Sequence, residues 1–252
     1  MYPSGYIQMS ESRDLPLLRQ VLHSGFVTHC QLFQFMQLGG FESCREAFNW
    51  RLKRLVAHGL LIRHQLPDYG RNFVYSLGPA GAIHLTNHGD SCSAVITGFS
   101  VRRDSIRVAH AVEINDVQLL LLRQGVLREW LSELEIRSRN EMTGYGYAKD
   151  YDAVLTLAFD GVQVEVALEY ERRPKTARQY TDIRAAIDKE KRVERFLYLV
   201  PDYNLLWFVH QFLKKSSRAI FFAIAGEFKK NLLQAQVVDS QMRFSKLGEA
   251  LI

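Results

Sequence analysis

Asp160-Gly161 stands between two runs that alternate apolar and polar residues, and no other feature restricts the fold of this chain as tightly. A two-residue hairpin turn needs positive φ at both central positions, which Asp and Gly tolerate. With Phe159 opposite Val162, every cross-strand pair sums to the same residue number, so Asp152 lies opposite Glu169 and Asp150 opposite Glu171. One face then carries Tyr151, Ala153, Leu155, Leu157 and Phe159 against Val162, Val164, Val166, Leu168 and Tyr170, an apolar surface expected to be core. The other carries Asp150, Asp152 and Thr156 against Glu165, Glu169 and Glu171. Like charges opposite one another cost about 0.2–1 kcal/mol per pair. A divalent cation, basic side chains from neighbouring helices or exposure to water would each compensate.

The periodicity around this hairpin predicts a helix over 106–135, the hairpin over 150–172, a charged helix over 176–194, a strand over 196–200, a helix over 204–214 and a strand over 219–225. That alternation implies an α/β (α+β) domain over 105–252. The stretch 86–104, rich in Asn, Gly, Asp and Ser, is expected to be a linker, with a separate domain over 1–85. A chain of 252 residues that is 47% hydrophobic buries a sizeable core, which sets disorder aside.

In the first domain Leu15, Leu17, Leu18, Val21 and Leu22 recur at helical spacing, and Gly25 closes that helix. Thr28 caps a second helix carrying Leu32, Phe33, Phe35 and Met36, which stops at Gly39-Gly40. Ser43 is expected to cap a third, whose Phe48, Leu52, Leu55 and Val56 form one apolar stripe. Its other sides present Arg45, Asn49, Trp50, Arg51, Lys53 and Arg54. Residues 60–63 and 73–77 read as two strands joined by the polar turn 67–72, with Arg63, His64 and Arg71 on or beside it.

Several chemistries are set aside by what the chain lacks. Its longest strongly apolar run, 117–122, is too short to span a bilayer, and the N-terminus has no secretion-signal pattern, so a cytoplasmic protein without membrane partners is expected. Cys30, Cys44 and Cys92 are odd in number and lack zinc-ligand spacing, so they read as buried free thiols. No glycine-rich phosphate loop and no Ser/His/Asp or Cys/His order suggests nucleotide hydrolysis or covalent catalysis. The net charge of +5 suits a polyanionic partner without demanding one.

The N-terminal third resembles the winged-helix superfamily, in which a recognition helix ending like "LKRLVAHGLL" is followed by a β-hairpin. The resemblance implies duplex DNA as partner, with Arg45, Asn49, Trp50, Lys53 and Arg54 in the major groove and Arg63 and Arg71 on the flanking backbone. The alternative is a winged helix used for protein contacts only. In the second domain, Tyr151-Asp152 followed by Glu169-Tyr170-Glu171 resembles the PD-(D/E)xK nuclease motif, and Glu113 in "VAHAVEIND" matches that fold's helical Glu. The motif's Lys is replaced by Glu171, with Arg172, Lys175 or Lys189 as the expected source of a positive charge from nearby.

From about residue 14 to 230 the chain resembles the replication-relaxation family of plasmid and mobile-element proteins, on "AHAVEINDVQLLL", "YDAVLTL", "VALEYERRPKTARQY" and "RFLYLV" in that order. The resemblance implies a winged helix followed by a restriction-endonuclease-like domain, and a role in replication control or transcription regulation. Two readings follow. In one the protein is a sequence-selective DNA-binding regulator whose degenerate nuclease-like domain serves homodimerisation or partner contacts, with no cofactor. In the other it is a metal-dependent endonuclease in which Glu113, Asp152 and Glu169 hold Mg²⁺ or Mn²⁺ and Glu171 assists.

Overall fold

In the computed structural model, which describes residues 8–69, 72–90, 101–143 and 146–252, Asp160 and Gly161 take φ of 49° and 78°. Phe159 pairs with Val162 and the register runs unbroken to Ala153 opposite Leu168, as the turn requires. Residue contacts divide the chain into two units, Met1–Leu119 and Leu120–Ile252.

The first unit comprises α1 (Asp14–Ser24), β1 (Val27–Thr28), α2 (His29–Leu38), α3 (Arg45–Ala57), β2 (Leu61–His64), β3 (Val74–Leu77), α4 (Pro79–Asn87) and most of α5 (Val101–Arg123). Three helices and a hairpin follow one another here, and β1 extends the hairpin into an antiparallel sheet ordered β1-β3-β2. Gly25 ends α1 at φ 66°, a left-handed position that other residues occupy only at a cost. Thr28 caps α2 reciprocally: its hydroxyl accepts the Gln31 N–H while the Gln31 carboxamide oxygen accepts the Thr28 N–H. Leu17, Leu18, Val21, Leu32, Phe48, Leu52 and Leu55 are all buried.

Several expectations for this region need correction. Ser43 does not cap α3: the helix starts one residue later, and the Glu42 carboxylate accepts the N–H groups of Ser43 and Cys44 in its place. Cys30 and Cys44 are exposed rather than buried, and Cys92 lies outside the described residues. Of the expected linker, 86–87 belong to α4, 101–104 belong to α5, and 91–100 lie outside the described residues. The division between units falls further along, inside α5, because this helix is tied to the first unit. Asn115 donates to the Phe26 carbonyl at 2.8 Å, Gln31 donates to the Val112 carbonyl and to Asp116, and Val108 packs with Phe26, Leu66 and Val74.

The second unit continues with β4 (Leu127–Ser132), α6 (Glu133–Met142), β5 (Ala153–Phe159), β6 (Val162–Tyr170), α7 (Ala177–Lys189), β7 (Arg195–Val200), α8 (Tyr203–Leu213), β8 (Ala219–Ile224), α9 (Ala225–Asn231), β9 (Gln236–Asp239), β10 (Phe244–Lys246) and α10 (Leu247–Leu251). Its sheet is ordered β10-β9-β8-β7-β6-β5-β4, with β6, β7 and β8 parallel and the other neighbours antiparallel. Together with the helices this is an α/β domain. The single helix expected over 106–135 is instead a helix, a strand and the start of another helix: Gly125, at φ 72°, lets the chain turn back, and β4 pairs with β5. Nor is the second face of the hairpin open. Val154, Thr156, Ala167 and Glu169 are all buried, and Val154 and Ala167 share a cluster with Tyr180 and Ile187 of α7 and with Leu205, Leu206 and Val209 of α8. Helices on that side follow from the parallel β6–β7–β8 connections, which cover a sheet with their crossovers.

Candidate nucleic-acid interface and acidic cluster

In the first unit α3 and the β2–β3 hairpin border an open groove of about 780 Å³. Arg45, Asn49 and Lys53 lie one helical turn apart on α3 and line it, with Arg63 of β2 opposite and Leu52, Val56 and Tyr75 along its floor. Arg45 is stacked over Phe33, 4.7 Å from the ring centroid, and Arg63 over Phe73 at 4.5 Å, so both guanidinium groups are held in place by aromatic faces. His29 meets the groove from α2, where its Nδ1 is 3.3 Å from the Tyr75 hydroxyl. Burial lowers the His29 pKa, against a hydrogen bond with Asn49 that raises it, and Arg45 lowers it further. Arg45, Lys53 and Arg63 make no salt bridge among the described residues, and all three are exposed.

The other expected DNA contacts are placed differently. Arg54 turns back to α1: its guanidinium bridges the fully buried Asp14 and the Gln8 carbonyl. Arg51, also on α3, is buried between Asp14 at 2.8 Å and Glu42 at 3.3 Å. Trp50 is 59% exposed, but it lies on the Arg54 stripe, with that guanidinium 5.1 Å from its ring centroid. Arg71 lies outside the described residues.

In the second unit the hairpin register brings Asp152 and Glu169 to neighbouring positions at one end of the sheet. The strand ends at Ala153, however, so neither the expected pairing of Asp152 with Glu169 nor that of Asp150 with Glu171 forms in the ladder. Asp150 is held by Arg137 and Asn140 of α6, while Glu171 follows β6 and its N–H donates to the Leu199 carbonyl. Each acid has a partner within the protein. Asp152 Oδ2 accepts the Tyr170 N–H at 2.7 Å, Lys149 Nζ donates to Glu169 Oε1, and Lys175 Nζ donates to Glu171 Oε2. Burial pushes the Glu169 carboxyl up against the pull of the Lys149 ammonium, and the Asp152 carboxylate adds to the rise. On the next strand Tyr198, paired in register with Glu169, is fully buried and has its hydroxyl pKa raised, first by burial and then by Glu169.

Two residues that matter here carry no obvious signal in the sequence. Lys149 shares its parity with the apolar residues of β5, so the pleat would point it away from Asp152; the chain has left the pleat before Ala153, and the rule does not reach it. Glu190 reads as one charge in a mixed, solvated run, yet it is 1% exposed. Its carboxylate accepts the Ala148 N–H, the Tyr151 hydroxyl and the N–H groups of Lys191 and Arg192.

A divalent ion with the expected ligands does not fit this arrangement. Among the described residues no three His, Cys, Asp or Glu side chains are grouped to hold one, and the oxygens that face each other are engaged by lysines and backbone. Among the described residues no helix is long and apolar enough to cross a membrane.

A family model described as "Replication-relaxation" matches residues 18–198. Among solved structures, that of restriction endonuclease FokI bound to DNA is 12% identical at a TM-score of 0.25, with 85% of this chain and 43% of that chain covered. A second structure of restriction endonuclease FokI is 11% identical at a TM-score of 0.27, with 90% and 45% covered. The chain spans less than half the length of either, and no residue role is carried over from them. No curated protein matches it significantly.

Proposed function

The chain belongs to the replication-relaxation family, and from that premise we propose that it binds double-stranded DNA through its first unit, in replication control or transcription regulation of a plasmid or mobile element. The observation that carries this reading is the convergence of Arg45, Asn49 and Lys53 on one groove with Arg63 across it. A helix of this kind fits the width of the major groove, where Asn and Arg side chains reach base edges and Lys neutralises phosphate. Aromatic support of Arg45 and Arg63 lowers the entropy lost when those side chains are fixed on a ligand.

The α3–hairpin groove favours a polyanion because Arg45, Lys53 and Arg63 line it with no salt bridge to a carboxylate among the described residues. The test is fluorescence anisotropy of a labelled duplex with the full chain and with the triple variant Arg45→Ala, Asn49→Ala, Lys53→Ala. Loss of at least about tenfold in affinity is expected, since a good base contact contributes about 1–3 kcal/mol and phosphate contacts add to it. Unchanged affinity in a folded triple variant counts against the reading.

A further inference from the structure

The acidic cluster of the second unit has a built-in cation whose position is set by packing. Lys149 is not a loose surface lysine: its side chain is 20% exposed and its Nζ lies 4.8 Å from the centroid of the Tyr151 ring. Tyr151 is itself fully buried, and its hydroxyl donates to Glu190 Oε2 at 3.0 Å. The Ala148 N–H donates to the same oxygen at 2.8 Å, so Glu190 fixes the chain on both sides of Lys149. The ammonium is thereby delivered to Glu169, beside Asp152, from a segment that cannot easily withdraw.

The charges show what this does. Lys149 and Lys175 each hold one carboxylate of the cluster, Glu169 and Glu171, and Asp152 accepts the Tyr170 N–H beside them. A divalent ion bound between Asp152 and Glu169 must first expel Lys149 from its ion pair and from the Tyr151 ring. We propose that Lys149 is the resident counter-ion of this cluster and closes it to divalent cations, so that the second unit works without metal. Remove Lys149 and Glu169 loses its cation, which leaves a carboxylate oxygen open to a divalent ion next to Asp152.

The experiment measures free Mn²⁺ by electron paramagnetic resonance during titration of the full-length protein at pH 8. Wild type is expected to take up no stoichiometric Mn²⁺ below about 1 mM, and folded Lys149→Met to bind one ion at least about tenfold more tightly, an uptake that added Glu169→Gln abolishes. Lys149→Arg keeps the cation and is expected to behave as wild type. One ion bound by wild type and lost in Glu169→Gln overturns the proposal, as does a folded Lys149→Met that binds no better than wild type. If Lys149→Met does not fold, wild type and Glu169→Gln decide alone: equal, negligible uptake supports closure, and a difference of one ion overturns it.

Discussion

Replacing Lys53 by Met keeps most of the side chain's apolar stem on α3 and removes one positive charge from the groove. If Arg45, Lys53 and Arg63 each neutralise one phosphate, together they contribute about −2.7 to the slope of log affinity against log salt. Between 50 and 200 mM salt this is about a forty-fold loss of affinity, and with two cations about twelve-fold, the slope having fallen to about −1.8. Arg71 and other cations alter the total, but the difference of about 0.9 belongs to Lys53 alone. The control is Arg54→Met on the same helix. Arg54 pairs with the fully buried Asp14, so its loss is expected to lower stability by about 1–3 kcal/mol, Asp14 retaining Arg51 and the Ser10 N–H, while the salt slope stays at the wild-type value. Anisotropy titrations at five salt concentrations, with thermal melts of each variant, read both quantities. A slope unchanged in Lys53→Met, or reduced as much in Arg54→Met, would refute the assignment of the groove.

Two further outcomes test the framework that positions these sites. Gly161→Ala places a side chain at φ 78° with no atom within 4 Å of the new Cβ, so only backbone strain acts; a loss of about 1 kcal/mol in urea unfolding is expected. No loss would mean that the turn does not hold the register. His64 is buried against Ser76, and burial lowers its pKa below 6.5 despite an opposing contribution from Asp104. The unfolded chain therefore binds the extra proton first, so this contribution to stability is fully present above pH 6.5 and is lost as pH falls from there towards the depressed folded value. Unfolding measured at pH 7.5 and 5.5 should show a smaller decline in His64→Gln than in wild type, and an equal decline would exclude His64 as the cause.

Local signals were legible where neighbours in sequence decide the outcome. The Asp160-Gly161 turn, the Thr28 cap, the start of α7 at Thr176 and the β7 and β8 strands are each specified within a few residues. β4 was not legible, because six residues after a lone glycine become a strand only through pairing with β5, more than twenty residues on. The cationic face of α3 was half legible. A helical wheel places Arg54 beside Lys53, but Asp14, forty residues earlier, takes it out of the groove. The same distance effect conceals Glu190, which is buried because Ala148 and Tyr151 need its oxygens.

The two units therefore differ in one physical respect that composition does not reveal: where their positive charges are spent. In the acidic cluster each lysine is fixed on a carboxylate, and in the α1–α3 packing Arg51 and Arg54 are fixed on Asp14. Arg45, Lys53 and Arg63 are the groove cations without a salt bridge among the described residues. An anion arriving there needs to break no internal ion pair, whereas one approaching Arg54 would have to compete with the buried Asp14 carboxylate, at a cost of about 1–3 kcal/mol. On the proposed reading a phosphate backbone meets the α3–hairpin groove because Arg51 and Arg54 are already neutralised by Asp14, and Lys149 keeps a metal ion from Asp152 and Glu169 in the same way.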